Sequence, residues 1–292
     1  MEAKIRMLVV ARWVPEDSSW DDLGLVELMR SRGYEVDLEP ASSFGKPSRI
    51  VPLLSRDYAV VVCRFSSDPL ATHAARRMAA AGVPIVGGNN PITPGDDQEV
   101  TLALLDQAGI PVPNWSSVRR VDDVPAALQH LGLPVVTKDP LTMGGSGVRL
   151  ARSAEAVHRH LAETPAGRLI VQQFHHECAG RDLRLFLVDD RVVGTIERRA
   201  TREGEFRANL YLGGQASPRT ATQYQAQIAV DASKVLGLDV SGVDIIRTQH
   251  GDKIVEVNHN PGGIGIPMAA SAILDLAMRK AKSKLRLMEG PA

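Results

Sequence analysis

Only two cysteines, Cys63 and Cys178, occur in 292 residues, too few for a disulfide framework and without the spacing of a zinc site. A reducing compartment is the natural setting. Net charge is equally absent: 34 Lys and Arg balance 34 Asp and Glu. No global field therefore draws the chain to nucleic acid or to an anionic membrane, and any anion it binds must be held by a local cluster. Long apolar runs are lacking too. Met7 to Ala11 is too short for the apolar part of a signal peptide, and nothing approaches the roughly 20 residues of a membrane span. The expectation is a soluble, cytoplasmic protein with no membrane or nucleic-acid partner. Internal repeats, a P-loop, a dinucleotide fingerprint and a persuasive Ser-His or Cys-His arrangement are all missing. His175, His176 and Cys178 are neighbours, but in a loop and without metal-site spacing.

What remains is a long, patterned chain, sized for two or three domains. To about residue 90, short apolar runs at Ile5–Ala11, Tyr34–Glu39, Tyr58–Arg64 and Val83–Gly87 alternate with helical patterns at Asp21–Arg32 and Pro69–Ala81. That alternation predicts right-handed crossovers and a mostly parallel sheet. A turn-rich break at 87–95 precedes a helix starting near Asp96 and ending at Gly109. A second small unit follows, with strands Ser117–Arg119, Pro134–Lys138 and Val148–Ala151 and helices Asp122–Leu131 and Ser153–Glu163. From Arg168 strands dominate: Leu169–Phe174, Asp182–Val188, Arg191–Arg199, Val240–Arg247 and Lys253–Asn258. Helices Thr220–Leu236 and Pro267–Leu287 complete the chain. The domain expectation is 1–90, 91–168 and 169–292, in an α/β (α+β) fold with an N-terminal parallel sheet and a C-terminal antiparallel one.

Asp244, Glu256 and Asn258 make the strongest local signal. Glu256 and Asn258 are two apart on a strand, so they share a face while Val255 and Val257 take the other. Asp244 lies on the preceding strand across a tight hairpin. Two carboxylates and a carboxamide suit a hard cation shared with phosphates; the alternative is a solvated sheet face. Gly144 to Gly147, with Ser146 among them, form a flexible loop whose amides could cover phosphates, or only a turn. Lys138 ends the preceding strand. Residues 181 to 207 hold seven arginines against six acids. That balance fails as a nucleic-acid patch and fits a face laced with ion pairs, one or two arginines aimed at an anion.

The order of these motifs resembles the RimK-type branch of the ATP-grasp carboxylate–amine ligases. It runs from Lys138 through Gly145-x-Gly147-Val148, Val171-Gln172-Gln173-Phe174, Gly180-x-Asp182-x-Arg184, Ile196-Glu197-Arg198-Arg199, Phe206-Arg207-Ala208-Asn209 and Gly242-Val243-Asp244 to Glu256-Val257-Asn258-x-x-Pro261-Gly262. The likeness is collinear from about 85 to 275. It implies a three-domain ATP-grasp fold that binds ATP between the second and third domains. Lys138 would contact phosphate beneath Gly145, Ser146 and Gly147, Gln173 and Phe174 would meet adenine through backbone groups, and Asp182 would hold the ribose. Arg207, the catalytic residue, and Asn209 would grip the terminal phosphate. Asp244, Glu256 and Asn258 would bind Mg²⁺, with Mn²⁺ as substitute, and the oligomer would be a dimer or tetramer.

The chain departs from that pattern in three places. Gln98 stands where the family has a lysine, Tyr211 and Leu212 replace His and Arg, and Gly263 to Pro267 is less polar. A pocket that loses charge loses discrimination for charged side chains. The expected substrates are therefore small amino acids or carboxylic acids joined to an amine through an acyl phosphate. The alternatives are a ligase acting on a protein or carrier-peptide terminus, and a non-catalytic nucleotide-binding module.

Overall fold

A computed structural model of the chain describes residues 5–11, 20–45, 47–65, 68–87, 97–142, 145–262 and 267–289. Three sheets organise them. The first, in the order β2-β1-β3-β4, is parallel: β1 (Arg6–Ala11), β2 (Glu35–Pro40), β3 (Val60–Arg64) and β4 (Ile85–Gly87). Its inner strands are apolar between Arg6 and Arg64 at their ends because helices cover both faces. Met7, Val9, Val60 and Val62 pack with α1 (Trp20–Ser31) and α8 (Pro267–Glu289). Leu8, Val10, Val61 and Cys63 meet α2 (Pro47–Leu54) and α3 (Pro69–Ala80). Asp68 caps α3, accepting from Leu70 and Ala71 amides ahead of Pro69 at the first helical position.

The second sheet, β5-β8-β6-β7, is antiparallel: β5 (Trp115–Val118), β6 (Val135–Lys138), β7 (Val148–Ala151) and β8 (Leu169–Gln173), packed on α5 (Val124–Leu131) and α6 (Ala154–Glu163). β8 lies between β5 and β6. Here α6 buries His160, which is 2 % exposed with Nδ1 2.7 Å from Thr137 Oγ1. Burial pushes its imidazole down to about 4. A neutral folded histidine opposes a chain that takes up a proton on unfolding. Stability should therefore fall as pH drops from the ordinary value near 6.5 towards 4, by at most roughly 3 kcal/mol. Urea titrations across that window should show the slope, and His160→Gln should flatten it.

The third sheet, β11-β10-β9-β12-β13, is antiparallel: β9 (Arg181–Val188), β10 (Arg191–Arg199), β11 (Gln215–Pro218), β12 (Val240–Thr248) and β13 (Gly251–Asn258). Leu183, Leu185, Val243 and Ile245 turn to α7 (Gln223–Val235). The alternate residues Asp182, Arg184 and Asp244 are left on the opposite face. Helix α4 (Gln98–Gln107), expected with the second unit, puts Leu102 and Leu105 into this third core, and α8 returns to the first sheet. Among the described residues no helix is long and apolar enough to cross a membrane, and both cysteines are free.

Candidate functional site

A cleft opens between the second and third sheets. Nine of the residues singled out in sequence line it: Lys138, Gly145, Gln173, Phe174, Asp182, Arg207, Asn209, Asp244 and Glu256. Ser146 and Gly147, on the loop beside it, and Asn258 are not in its wall. Gln98 is, and its amide donates to Thr142 O at 3.1 Å, anchoring the loop without supplying charge. Phe174 meets Phe206 edge to face at 6.0 Å between ring centroids, an aromatic wall at one side.

Strand register builds the polar floor. Arg198 pairs across β10 and β9 with Asp182, and Arg184 across β9 and β12 with Asp244, which faces Glu256 on β13. Both arginines bind in the bidentate mode: Arg184 to Asp244 at 2.6 and 2.6 Å, Arg198 to Asp182 at 2.7 and 2.7 Å. Arg198 also donates to Asp244 Oδ2 at 2.8 Å. Burial alone would raise Asp244, which is 1 % exposed, but Arg184 and then Arg198 outweigh it and hold its carboxyl below the usual range. Glu256 has no such partner. Burial, and then the charge of Asp244, push it up. For Asp182 burial prevails over Arg198, and its carboxyl also rises.

A bulge between Asp244 and Ile245 interrupts the ladder, so Val255 is unpaired. Val255 lies in the cleft wall, where its carbonyl accepts from Lys138 Nζ at 3.2 Å. Burial lowers the Lys138 ammonium while Glu256 and Asp244 oppose it. Three cations thus face three carboxylates across the floor.

The donor set has the chemistry of a hard-cation site. Asn258 places its terminal amide 3.1 Å from Glu256 Oε1 and 3.0 Å from Arg184 Nη2. With nitrogen towards Glu256 and oxygen towards Arg184, both contacts are hydrogen bonds. Turned over, two oxygens converge as a cation between them requires. Asp244 has given most of its lone pairs to guanidinium, so Glu256 and Asn258 fit the cation best and Asp244 contributes what is left. No three His, Cys, Asp or Glu side chains converge as a ligand set among the described residues.

Arg207 is already engaged. Its Nε and Nη2 donate to Glu205 at 2.9 and 2.8 Å, and Nη1 donates to the carbonyls of Gly145 and Val148 at 2.9 and 3.2 Å. It clasps the glycine loop, and the pairing drives Glu205 down to about 2. Gly147 is required there, since a Cβ would lie 2.0 Å from Thr142 Oγ1. Sequence reading missed the roles of Arg184 and Arg198 as clamps on the carboxylates, and it missed Glu205. The alternation in Asp182-x-Arg184 and Glu205-x-Arg207 was the available signal. Cys178, which lines the cleft, has its thiol raised to about 11 by burial and is no nucleophile.

Residues 95–281 match the model of the RimK-like ATP-grasp domain. A protein of Thioalkalivibrio sulfidiphilus named probable alpha-L-glutamate ligase is 33 % identical over 87 % of this chain and 88 % of its own length. Among solved structures, the ATP-grasp ligase PsnB complexed with a minimal precursor superposes with a TM-score of 0.72 at 19 % identity, covering 95 % of this chain and all of PsnB. D-alanine–D-alanine ligase of Bacillus anthracis superposes with a TM-score of 0.70 at 15 % identity, over 98 % of this chain and all of that one.

Proposed function

Since the chain belongs to the RimK-like ATP-grasp family and is an ATP-dependent carboxylate–amine ligase, we propose that it joins a small carboxylic or amino acid to an amine. The reading rests on one observation: a single cleft brings Lys138, Arg207 and Asn209 together with the carboxylates Asp244 and Glu256. A substrate carboxylate oxygen attacks the γ-phosphorus of ATP and ADP leaves. The amine then attacks the acyl carbon, phosphate departs, and an amide remains. Lys138 and Arg207 offset charge on the phosphoryl oxygens, Arg207 by exchanging loop carbonyls for phosphate. Asn209 lies against Gly145, where a Cβ would be 3.0 Å from its Nδ2, and binds the same end of the nucleotide. Gln173 and Phe174 meet the base, and Asp182, oriented by Arg198, meets the sugar. Glu256, Asn258 and Asp244 would hold Mg²⁺, which would supply charge neutralisation at the phosphates.

Tyr211, 89 % exposed, has its hydroxyl at the edge of the Pro261–Gly262 turn, 3.8 Å from where a Cβ on Gly262 would stand. An uncharged lip there supports a small or apolar acceptor. Addition to a peptide terminus is the second reading, favoured by the structure of PsnB complexed with the precursor peptide PsnA2. Family membership sets aside the non-catalytic reading. The test is incubation with MgATP and an amino-acid panel, following phosphate release and product masses. Dipeptides are expected; turnover with a macromolecular acceptor alone would sink the small-molecule reading.

Gly147→Ala gives a sharper check. The added methyl displaces the loop that Arg207 clasps, so the KM for ATP should rise about tenfold, the equivalent of roughly 1.4 kcal/mol of binding, with the fold retained by circular dichroism. An unchanged KM would remove the loop from the nucleotide site.

A further inference from the structure

Arg64, the last residue of β3, is a buried cation that the chemistry of the cleft does not use. It is only 5 % exposed. A guanidinium taken out of water is costly unless it is paired and its donors are met. Nε donates to Asp22 Oδ1 at 2.9 Å, on α1 over the same sheet, and Nη2 donates to Pro261 O at 3.2 Å. One planar fork thus serves two partners, the second of them 197 residues further along the chain.

The place of Arg64 in the fold gives that second partner its meaning. In the order β2-β1-β3-β4, β3 stands beside β1 where the strand order reverses, at the carboxyl edge where open parallel sheets commonly carry their function. From this edge Gly87, at the end of β4, donates to Asp239 Oδ1 at 2.9 Å ahead of β12, and Arg64 reaches the turn that follows β13. Among the described residues, none that lines the cleft precedes Gln98. The first sheet therefore bears on the site through backbone that it holds.

That turn is wedged against the cation-site strands. Pro261 is buried over Gly242, where a Cβ would stand 2.7 Å from Pro261 Cβ, 3.5 Å from its Cγ and 3.8 Å from Asn258 Cβ. Gly242 is also the register partner of Asn258. The pyrrolidine ring and Asn258 thus sit side by side on one residue, and glycine is what admits them so close to the β12 backbone. β12 meets the ring, and Arg64 meets the carbonyl. We propose that Arg64 is a positioning residue for the cation site: by gripping Pro261 O it keeps the ring on Gly242, and the ring keeps Asn258 where its carboxamide meets Glu256. This rests on the proposed cation site and adds to it a hold from the first sheet. A lysine at this position would keep the charge opposite Asp22 but not the rigid fork that serves both partners at once.

The experiment is titration of the full chain with Mn²⁺ in the presence of ADP, free Mn²⁺ being read by electron paramagnetic resonance, and with ADP alone in EDTA. Arg64→Lys should bind Mn²⁺ about tenfold more weakly than the parent, the usual cost of losing an outer partner of a metal ligand. Metal-free ADP should bind both proteins equally. Gly242→Ala, whose methyl displaces the same ring from the other side, should show the same loss of Mn²⁺ affinity. In the double variant the two losses should fall short of adding, because both act through Pro261. A merely structural Arg64 would lower the fraction of protein that binds and leave the affinity of the remainder as it was. Unchanged Mn²⁺ affinity in Arg64→Lys, or an equal weakening of metal-free ADP, would overturn the proposal. If Arg64→Lys fails to fold, Gly242→Ala decides it, since parental Mn²⁺ affinity in that variant cuts the link between the ring and Asn258. A parent chain that binds no Mn²⁺ beside ADP refutes the proposed cation site as well, whereas a parent and variants that bind it alike refute this inference alone.

Discussion

Asp244→Ala is expected to cost about 3–5 kcal/mol of folding stability, because it leaves Arg184 and Arg198 buried without their shared carboxylate. Arg198 is 3 % exposed, and water cannot replace the lost partner. The thermal midpoint should fall by roughly ten degrees. The sign of the pH dependence follows from the depressed carboxyl. Its stabilisation is fully present above the ordinary aspartate value and is lost as pH falls through the lower folded one. Guanidinium titrations of the two proteins at neutral and acid pH would therefore converge as pH drops. A variant as stable as the parent at neutral pH would mean that the ion-pair lattice contributes nothing.

Glu256→Ala, one step across the ladder, should do the opposite. This carboxyl is raised by burial and then by Asp244, so its ionised form weighs against the folded state. The contribution Glu256 makes is present below its ordinary value and is lost as pH rises through the raised one. Removing it should leave stability at neutral pH unchanged or slightly higher. Turnover should nevertheless fall by about 10²-fold or more, since the chief anion of the proposed cation site is gone. Phosphate release assayed beside a denaturation curve separates the two effects. Near-normal turnover would eliminate the metal assignment, and a collapse in stability would make Glu256 a structural residue. Two carboxylates 12 residues apart in sequence, directly opposed in the sheet, thus carry different duties because only one is held by guanidinium groups.

The sequence showed that face clearly. Alternation put Glu256 and Asn258 together, and the short hairpin brought Asp244 opposite, because both are local consequences of strand geometry. The bulge at Val255 was not legible, since it depends on how β12 and β13 slip past each other. Nor were the clamps: that Arg198 meets Asp182 and Arg184 meets Asp244 follows from register across three strands, and register is a tertiary property. Two elements escaped for ordinary reasons. Helix α2 carries Pro52 in its interior, and β11 is a four-residue edge strand, exposed throughout. The packing of α4 and α8 on sheets distant in sequence left no local trace at all.

That return of α8 has a consequence for how the protein is made. Ala269, Ile273, Leu276 and Ala277 share a core with Met7, Val9 and Val62, and Lys280 ties Ile85 O and Asp239 together at 2.8 and 2.6 Å. One face of the first sheet therefore stays incompletely covered until α8, about 260 residues further along the chain, has been made. The middle sheet, whose neighbours lie close along the chain, can settle first, and the opening strands wait longest for their partner.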